Sequence, residues 1–275
     1  MASYYTLGDR QKGYELASDF ALMRRVPVIV RVDGRSFSKA TRRLTRPYCN
    51  RMVELMSTTM LLAVKQIDGA VFAYQQSDEI TFVIRNDQSL DTVPWFGNRI
   101  QKIASVTAGL VTFVFNEELW TMNDAPELIG PTLFDARVFT VPNASEAINN
   151  LVFRQQDCIR NALTAAAHAA LGKKFGKKSA YQILHGKGHE ERAQLLLEEC
   201  GIDFEHDYPV AFKHGIAAYR APHLVDTDEG KVTRHKWILD LEFPKITESR
   251  EFIEGIIDTG SDVLRPERDL DDGID

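Results

Sequence analysis

Cysteine is scarce in this chain: only Cys49, Cys158 and Cys200 occur in 275 residues, with no Cys-x-x-Cys pair. An odd count without metal-ligand spacing argues against a disulfide framework and a structural zinc site, and a reducing cytoplasm is the expected location. Long hydrophobic runs are missing as well. No stretch approaches the roughly 18 apolar residues that cross a bilayer. Met1–Thr6 has no basic segment leading into an apolar one, so neither a membrane anchor nor a secretory leader is expected. Repeats and low-complexity tracts are absent. The net charge of −6 excludes a protein that coats nucleic acid through bulk positive charge.

Positive charge is nevertheless concentrated. Arg24, Arg25, Arg31, Arg35, Lys39, Arg42, Arg43, Arg46 and Arg51 are interrupted by a single acid, Asp33. Such a density of guanidinium groups points to phosphate as a partner. Lys173, Lys174, Lys177 and Lys178 form a second cluster that reads as a solvated face. The tail beyond Pro266 is acidic, with Glu267, Asp269, Asp271, Asp272 and Asp275.

Hydrophobic periodicity predicts strands over 26–33, 70–75, 80–85 and 134–141, with helices over 47–67, 95–115 and from Asn143 to about Leu171. Asn143 and Glu146 have capping-box spacing. Residues 172–201 read as a basic loop and a further helix, with His185 and His189 in a loop. The order β-α-β-β-α-β is that of an α+β, ferredoxin-like (split βαβ) domain with helices packed on an antiparallel sheet. The expected division is a nucleotidyltransferase domain over 1–224, its last part helical, and a polar extension over 225–275.

That topology sets strand one antiparallel to strand three, so Asp33 meets the turn that carries Ser77, Asp78 and Glu79. Carboxylates beside strand cores are costly unless paired or bound to a cation. Asp33 and Asp78 are therefore candidate ligands for two magnesium ions, with Gly34 offering its carbonyl, and Glu79 either ligates or orients a water. The N–H groups following Gly34, from Arg35 through Ser36 and Phe37 to Ser38, are candidates to cradle a triphosphate. Cys158 reads as a buried small residue rather than a nucleophile.

The segments Arg31-Val32-Asp33-Gly34-Arg35-Ser36-Phe37, Gln76-Ser77-Asp78-Glu79, Phe134-Asp135-Ala136-Arg137 and Phe153-Arg154-Gln155-Gln156-Asp157, in that order, resemble the tRNA-His guanylyltransferase family. Gly201-Ile202-Asp203-Phe204 and Phe212-Lys213-His214-Gly215 fit its later signatures. The resemblance implies a palm fold of polymerase type and 3′-to-5′ nucleotide addition to the 5′ end of tRNA, with ATP or GTP as activating substrates. It also implies a homotetramer. Asp33, Gly34 and Asp78 would bind metal, Glu79 would support the site, and Ser77 and Arg46 would touch nucleotide. Arg24, Arg25, Arg42, Arg43, Arg154 and Lys187 are the expected RNA contacts. Ser38, Arg46 and Cys49 stand where the family usually has histidine, lysine and aspartate. Ile159-Arg160-Asn161-Ala162 replaces the run associated with tRNA-His recognition. The chain is in this respect more similar to the bacterial and archaeal branch, which repairs 5′-truncated tRNAs against a template. A nucleotide cyclase or conventional palm enzyme, and a catalytically idle RNA-binding protein, are the alternatives.

Overall fold

The computed structural model describes residues 6–130, 132–227 and 230–260; the acidic tail lies outside them. A capped helix α1 (Leu7–Leu16) leads in. Then come β1 (Val28–Gly34), a single turn α2 (Phe37–Ala40), α3 (Asn50–Val64), β2 (Ala70–Gln76), β3 (Glu79–Ile84), α4 (Ile100–Thr121) and β4 (Phe134–Thr140). The rest is α5 (Ala144–Phe175), α6 (Lys177–Leu184), α7 (His189–Cys200), short α8 (Phe204–Asp207) and α9 (Val210–His214), β5 (Ile216–Thr227), β6 (Gly230–Asp240) and α10 (Arg250–Thr259).

The strands make one antiparallel sheet in the order β4-β1-β3-β2-β5-β6. Its two faces are apolar for the period-two reason. Val28, Val30 and Val32 of β1 face α3 and α4 together with Ile80 and Phe82, while Ile29 joins Phe72, Tyr74 and Val83 under α5 and α10. The central strands β1, β2 and β3 are thus buried on both sides and read as near-continuous hydrophobic runs.

Several boundaries differ from the sequence reading. α3 starts at Asn50 rather than Pro47 because Cys49 is extended (φ −125°, ψ 116°). α4 starts at Ile100 rather than Trp95 because Phe96 (φ 49°), Gly97 (φ 62°) and Asn98 (φ 60°) are left-handed and cannot continue a right-handed helix. Residues 177–184 form a helix of their own, so the basic stretch is not a loop.

The largest correction is C-terminal. The boundary expected at 224/225 falls inside β5, and the supposed polar extension supplies β6 and α10. Ile253, Ile256 and Ile257 of α10 are fully buried. β5 pairs with β2 only from Ile216 to Tyr219, opposite Gln75 to Phe72, and beyond that pairs with β6 alone. The two strands leave the sheet as a two-stranded ribbon.

If α10 belongs to the core, Ile256→Ala should destabilise the protein by about 2–5 kcal/mol, the usual cost of truncating a buried aliphatic side chain. Urea unfolding checks this, and an unchanged midpoint would return α10 to the status of an appendage.

Candidate active site

The register sets the site. Asp33 of β1 lies opposite Glu79 of β3, and the Gly34 N–H donates to the Asp78 carbonyl at 3.1 Å. Ser77 makes the turn with φ 51°, and its hydroxyl donates to the Asp78 carboxylate at 2.9 Å. The acids expected to meet therefore do. Gly34 must be glycine: a Cβ there would lie 2.1 Å from the Phe37 ring, which is buried against Phe115 and Phe134.

A cavity of about 540 Å³ opens beside these residues. Asp33, Gly34, Ser36, Phe37, Ser38, Arg46, Ser77 and Asp78 all line it, as do Gln75 and Gln76. Its other walls come from the start of α3, from Cys158, Asn161, Ala162 and Ala165 along α5, and from α9. Tyr48 stacks on Phe212 at 4.8 Å, and both residues line the cavity. Sequence reading missed this aromatic pair, since two rings far apart in the chain give no local signal. The α5 wall was readable in principle: small residues recur there at helical spacing.

Burial pushes the Asp78 carboxyl up to about 6; neighbouring Asp33 and Glu79 add repulsion, against which the Ser77 hydroxyl works. Glu79 is offset from the cavity. Its carboxylate accepts from Arg154 Nη1 at 3.2 Å and pairs with Arg31 Nε at 3.6 Å, and Gln76 Nε2 donates to it at 3.4 Å. Among the described residues no three His, Cys, Asp or Glu side chains cluster as a metal site by themselves. A cation here would draw on Asp33, Asp78 and main-chain or substrate oxygens, and that all-oxygen set suits magnesium. Burial raises the Cys158 thiol to about 12, so it is no nucleophile at neutral pH.

Other expected residues are placed differently. Arg154 is 6% exposed and committed to Glu79 and, through Nη2, to Asp157 at 3.4 Å. It is an internal ion-pair partner, at odds with a surface RNA contact. The Arg35 N–H donates to the Leu133 carbonyl at 2.8 Å, so any backbone cradle must begin after it. Arg25 donates to the Ser89 and Leu90 carbonyls, Arg43 pairs with Glu127, and Lys187 pairs with Glu191. Arg46 donates to the Thr41 carbonyl at 3.1 Å. Arg24 and Arg42 are exposed.

Residues 8–142 match the model of the tRNA(His) guanylyltransferase family. A tRNA(His) guanylyltransferase of Schizosaccharomyces pombe is 30% identical over 71% of this chain and 74% of its own. A bacterial tRNA(His) guanylyltransferase-like protein solved in complex with ATP superposes with a TM-score of 0.77 at 32% identity, covering 92% of this chain and 99% of that one. A second, solved with GTP, gives a TM-score of 0.69 at 30% identity, covering 91% and 98%.

Two outcomes follow from the electrostatics. With no divalent cation present and above pH 6, Asp78→Asn should raise the melting temperature by a few degrees, because the charge it removes is buried and repelled. The raised carboxyl pKa makes its ionisation destabilising, so this gain should shrink as pH falls through about 6 toward 4 and the wild-type side chain takes up its proton. Equal melting temperatures at pH 8 would refute the burial argument. Arg154→Ala should lower unfolding stability by about 3–5 kcal/mol by stripping Glu79 of a buried partner, whereas a residue serving only RNA would leave the melt unmoved.

Proposed function

Because the chain belongs to the tRNA(His) guanylyltransferase family of nucleotidyltransferases, we propose that it adds nucleotides in the 3′-to-5′ direction to the 5′ end of tRNA, copying the opposite strand. The observation that carries this reading is the cavity that has Asp33 and Asp78 on its wall, arginine and serine side chains around them, and an aromatic pair on another side. It has the parts that a nucleoside triphosphate requires. The likeness to bacterial relatives solved with ATP and with GTP supports the same choice of ligand.

In this reaction a 5′-monophosphate oxygen attacks the α-phosphorus of ATP or GTP and releases pyrophosphate. The 3′-hydroxyl of the next nucleotide then attacks the activated 5′-phosphate and releases the nucleoside monophosphate. Two magnesium ions bound by Asp33, Asp78 and the Gly34 carbonyl would supply charge neutralisation and activate the attacking hydroxyl. Glu79 acts through its arginine pairs, fixing the hairpin that presents Asp78. Arg46 and Ser77 serve the triphosphate, with Ser36, Phe37 and Ser38 following the Gly34 turn, and Arg24 and Arg42 are offered to RNA phosphate. The strand order β4-β1-β3-β2 with α3 and α4 on one face supports a ferredoxin-like palm. Assembly as a cytoplasmic homotetramer belongs to the same proposal. Val106, Phe113 and the 88%-exposed Trp120 form an apolar stripe along α4 that supports burial against another copy, and three free cysteines suit a reducing compartment.

A second reading, addition of G to tRNA-His alone, is favoured by the name of the 30%-identical fission-yeast relative. The test is a panel of 5′-truncated, 5′-monophosphorylated tRNAs offered each nucleotide singly with magnesium and ATP. Extension of several tRNAs by the nucleotide that pairs with the opposing base is expected, and Asp33→Ala should abolish it. Addition of G only, to tRNA-His only and whatever base stands opposite, would establish the second reading instead.

A further inference from the structure

Gln75 is the last-but-one residue of β2, paired in register with Ile80 on one side and Ile216 on the other. It is 4% exposed and is one of the residues that line the cavity. Its Nε2 donates to the Ser77 carbonyl at 2.9 Å, which fixes the amide and leaves Oε1 as the free end. That oxygen is buried with no hydrogen-bond partner. Among the described residues several buried polar atoms lack a partner, but only Gln75 Oε1 belongs to a residue of the cavity wall. Burying an acceptor without a donor is unfavourable, and proteins tolerate it mainly where something else completes the bond.

We propose that Gln75 Oε1 accepts a hydrogen bond from a ribose hydroxyl of the bound nucleoside triphosphate, making Gln75 a residue that selects ribonucleotides over deoxynucleotides. The inference rests on the nucleotide-binding reading of the cavity. A neutral amide oxygen takes an O–H donor without adding to the negative charge that Asp33 and Asp78 already place there. Gln75 and Asp78 share one hairpin and one cavity wall, so a nucleotide with its phosphates beside Asp78 would carry its sugar toward Gln75. The flat Tyr48–Phe212 pair is the kind of surface on which a base stacks. A sugar oxygen reaching Gln75 would thus replace the partner that the protein itself does not provide.

The experiment is equilibrium binding, with magnesium, of ATP, 2′-deoxy-ATP and 3′-deoxy-ATP to the wild type, Gln75→Leu and Gln75→Glu. The wild type should bind ATP about fivefold or more tightly than one of the deoxy analogues, the size of a single neutral hydrogen bond. Gln75→Leu should weaken ATP to the level of that analogue without weakening the analogue further. Gln75→Glu, which keeps an acceptor but adds charge and loses the donation to the Ser77 carbonyl, should weaken ATP and the analogue together while retaining the preference between them. Wild-type protein that binds all three alike overturns the proposal without recourse to any variant. So does Gln75→Leu that keeps the wild-type preference, or that loses magnesium affinity measured with no nucleotide present, which would make Gln75 part of the cation site. Wild-type protein that binds no ATP at all would overturn the nucleotide-binding reading and this inference with it. A melt of each variant shows that it is folded; should Gln75→Leu fail there, the wild-type analogue series and Gln75→Glu decide the matter.

Discussion

Two arginines hold Glu79 at the point where three elements meet. β3 supplies the carboxylate, β1 supplies Arg31 and α5 supplies Arg154. A lone carboxylate would be driven out of such a place, because desolvation exceeds what a distant counter-charge returns. Here the pairs fasten α5 across the end of the sheet. Once Arg154 is fixed, Cys158, Asn161 and Ala165 follow along the helix and become the wall that faces the α2–α3 segment. Gln155, the next residue, reinforces the fastening from the other side. It donates to the His214 and Pro244 carbonyls at 3.1 and 3.0 Å and accepts from the Ile246 N–H at 2.7 Å. The C-terminal segment, α5 and the strand ends are therefore one mechanical unit around the cavity.

The central strands were legible because their signals are strong and local: valine-rich runs ended by Asp-Gly and by Ser-Asp-Glu. Their pairing followed from chain order alone, and with it the meeting of Asp33 with Glu79. What escaped the sequence was nonlocal. Arg154 carries the same formal charge as a surface arginine, and only the placement of Glu79 beneath α5 reveals that it points inward. The start of α4 was misjudged because three successive left-handed residues include Phe96, a type that rarely adopts that conformation. β6 looked like a solvated tail because its first residues are solvated; the apolar ones, such as Ile238, come only where the strand rejoins the body.

The departures from the family pattern converge in space. Ser38, Arg46 and Cys49 are separated along the chain, yet all three line the same cavity. Where the resemblance implies a histidine, a lysine and an aspartate, this chain offers a hydroxyl, a guanidinium and a thiol around one cavity. A guanidinium presents a planar fork where an ammonium presents a point charge, so Arg46 offers this wall a different donor geometry from that of a lysine. Cys49 likewise gives this wall a neutral thiol where an aspartate would add negative charge.

The ribbon made by β5 and β6 beyond Tyr219 has consequences for how the molecule breathes. From Arg220 onward β5 has one neighbour instead of two, and the residues of its partner, the edge strand β6, are largely exposed from Gly230 to Lys236. A two-stranded ribbon without a hydrophobic face to rest on is only marginally stable. Its amides should exchange with solvent through local opening, while those of Ala217 and Ala218, held between β2 and β6, exchange only when the whole sheet comes apart. One strand therefore runs continuously from a layer held on both sides to one paired on a single side, so the two ends of β5 should differ in how readily their amides exchange.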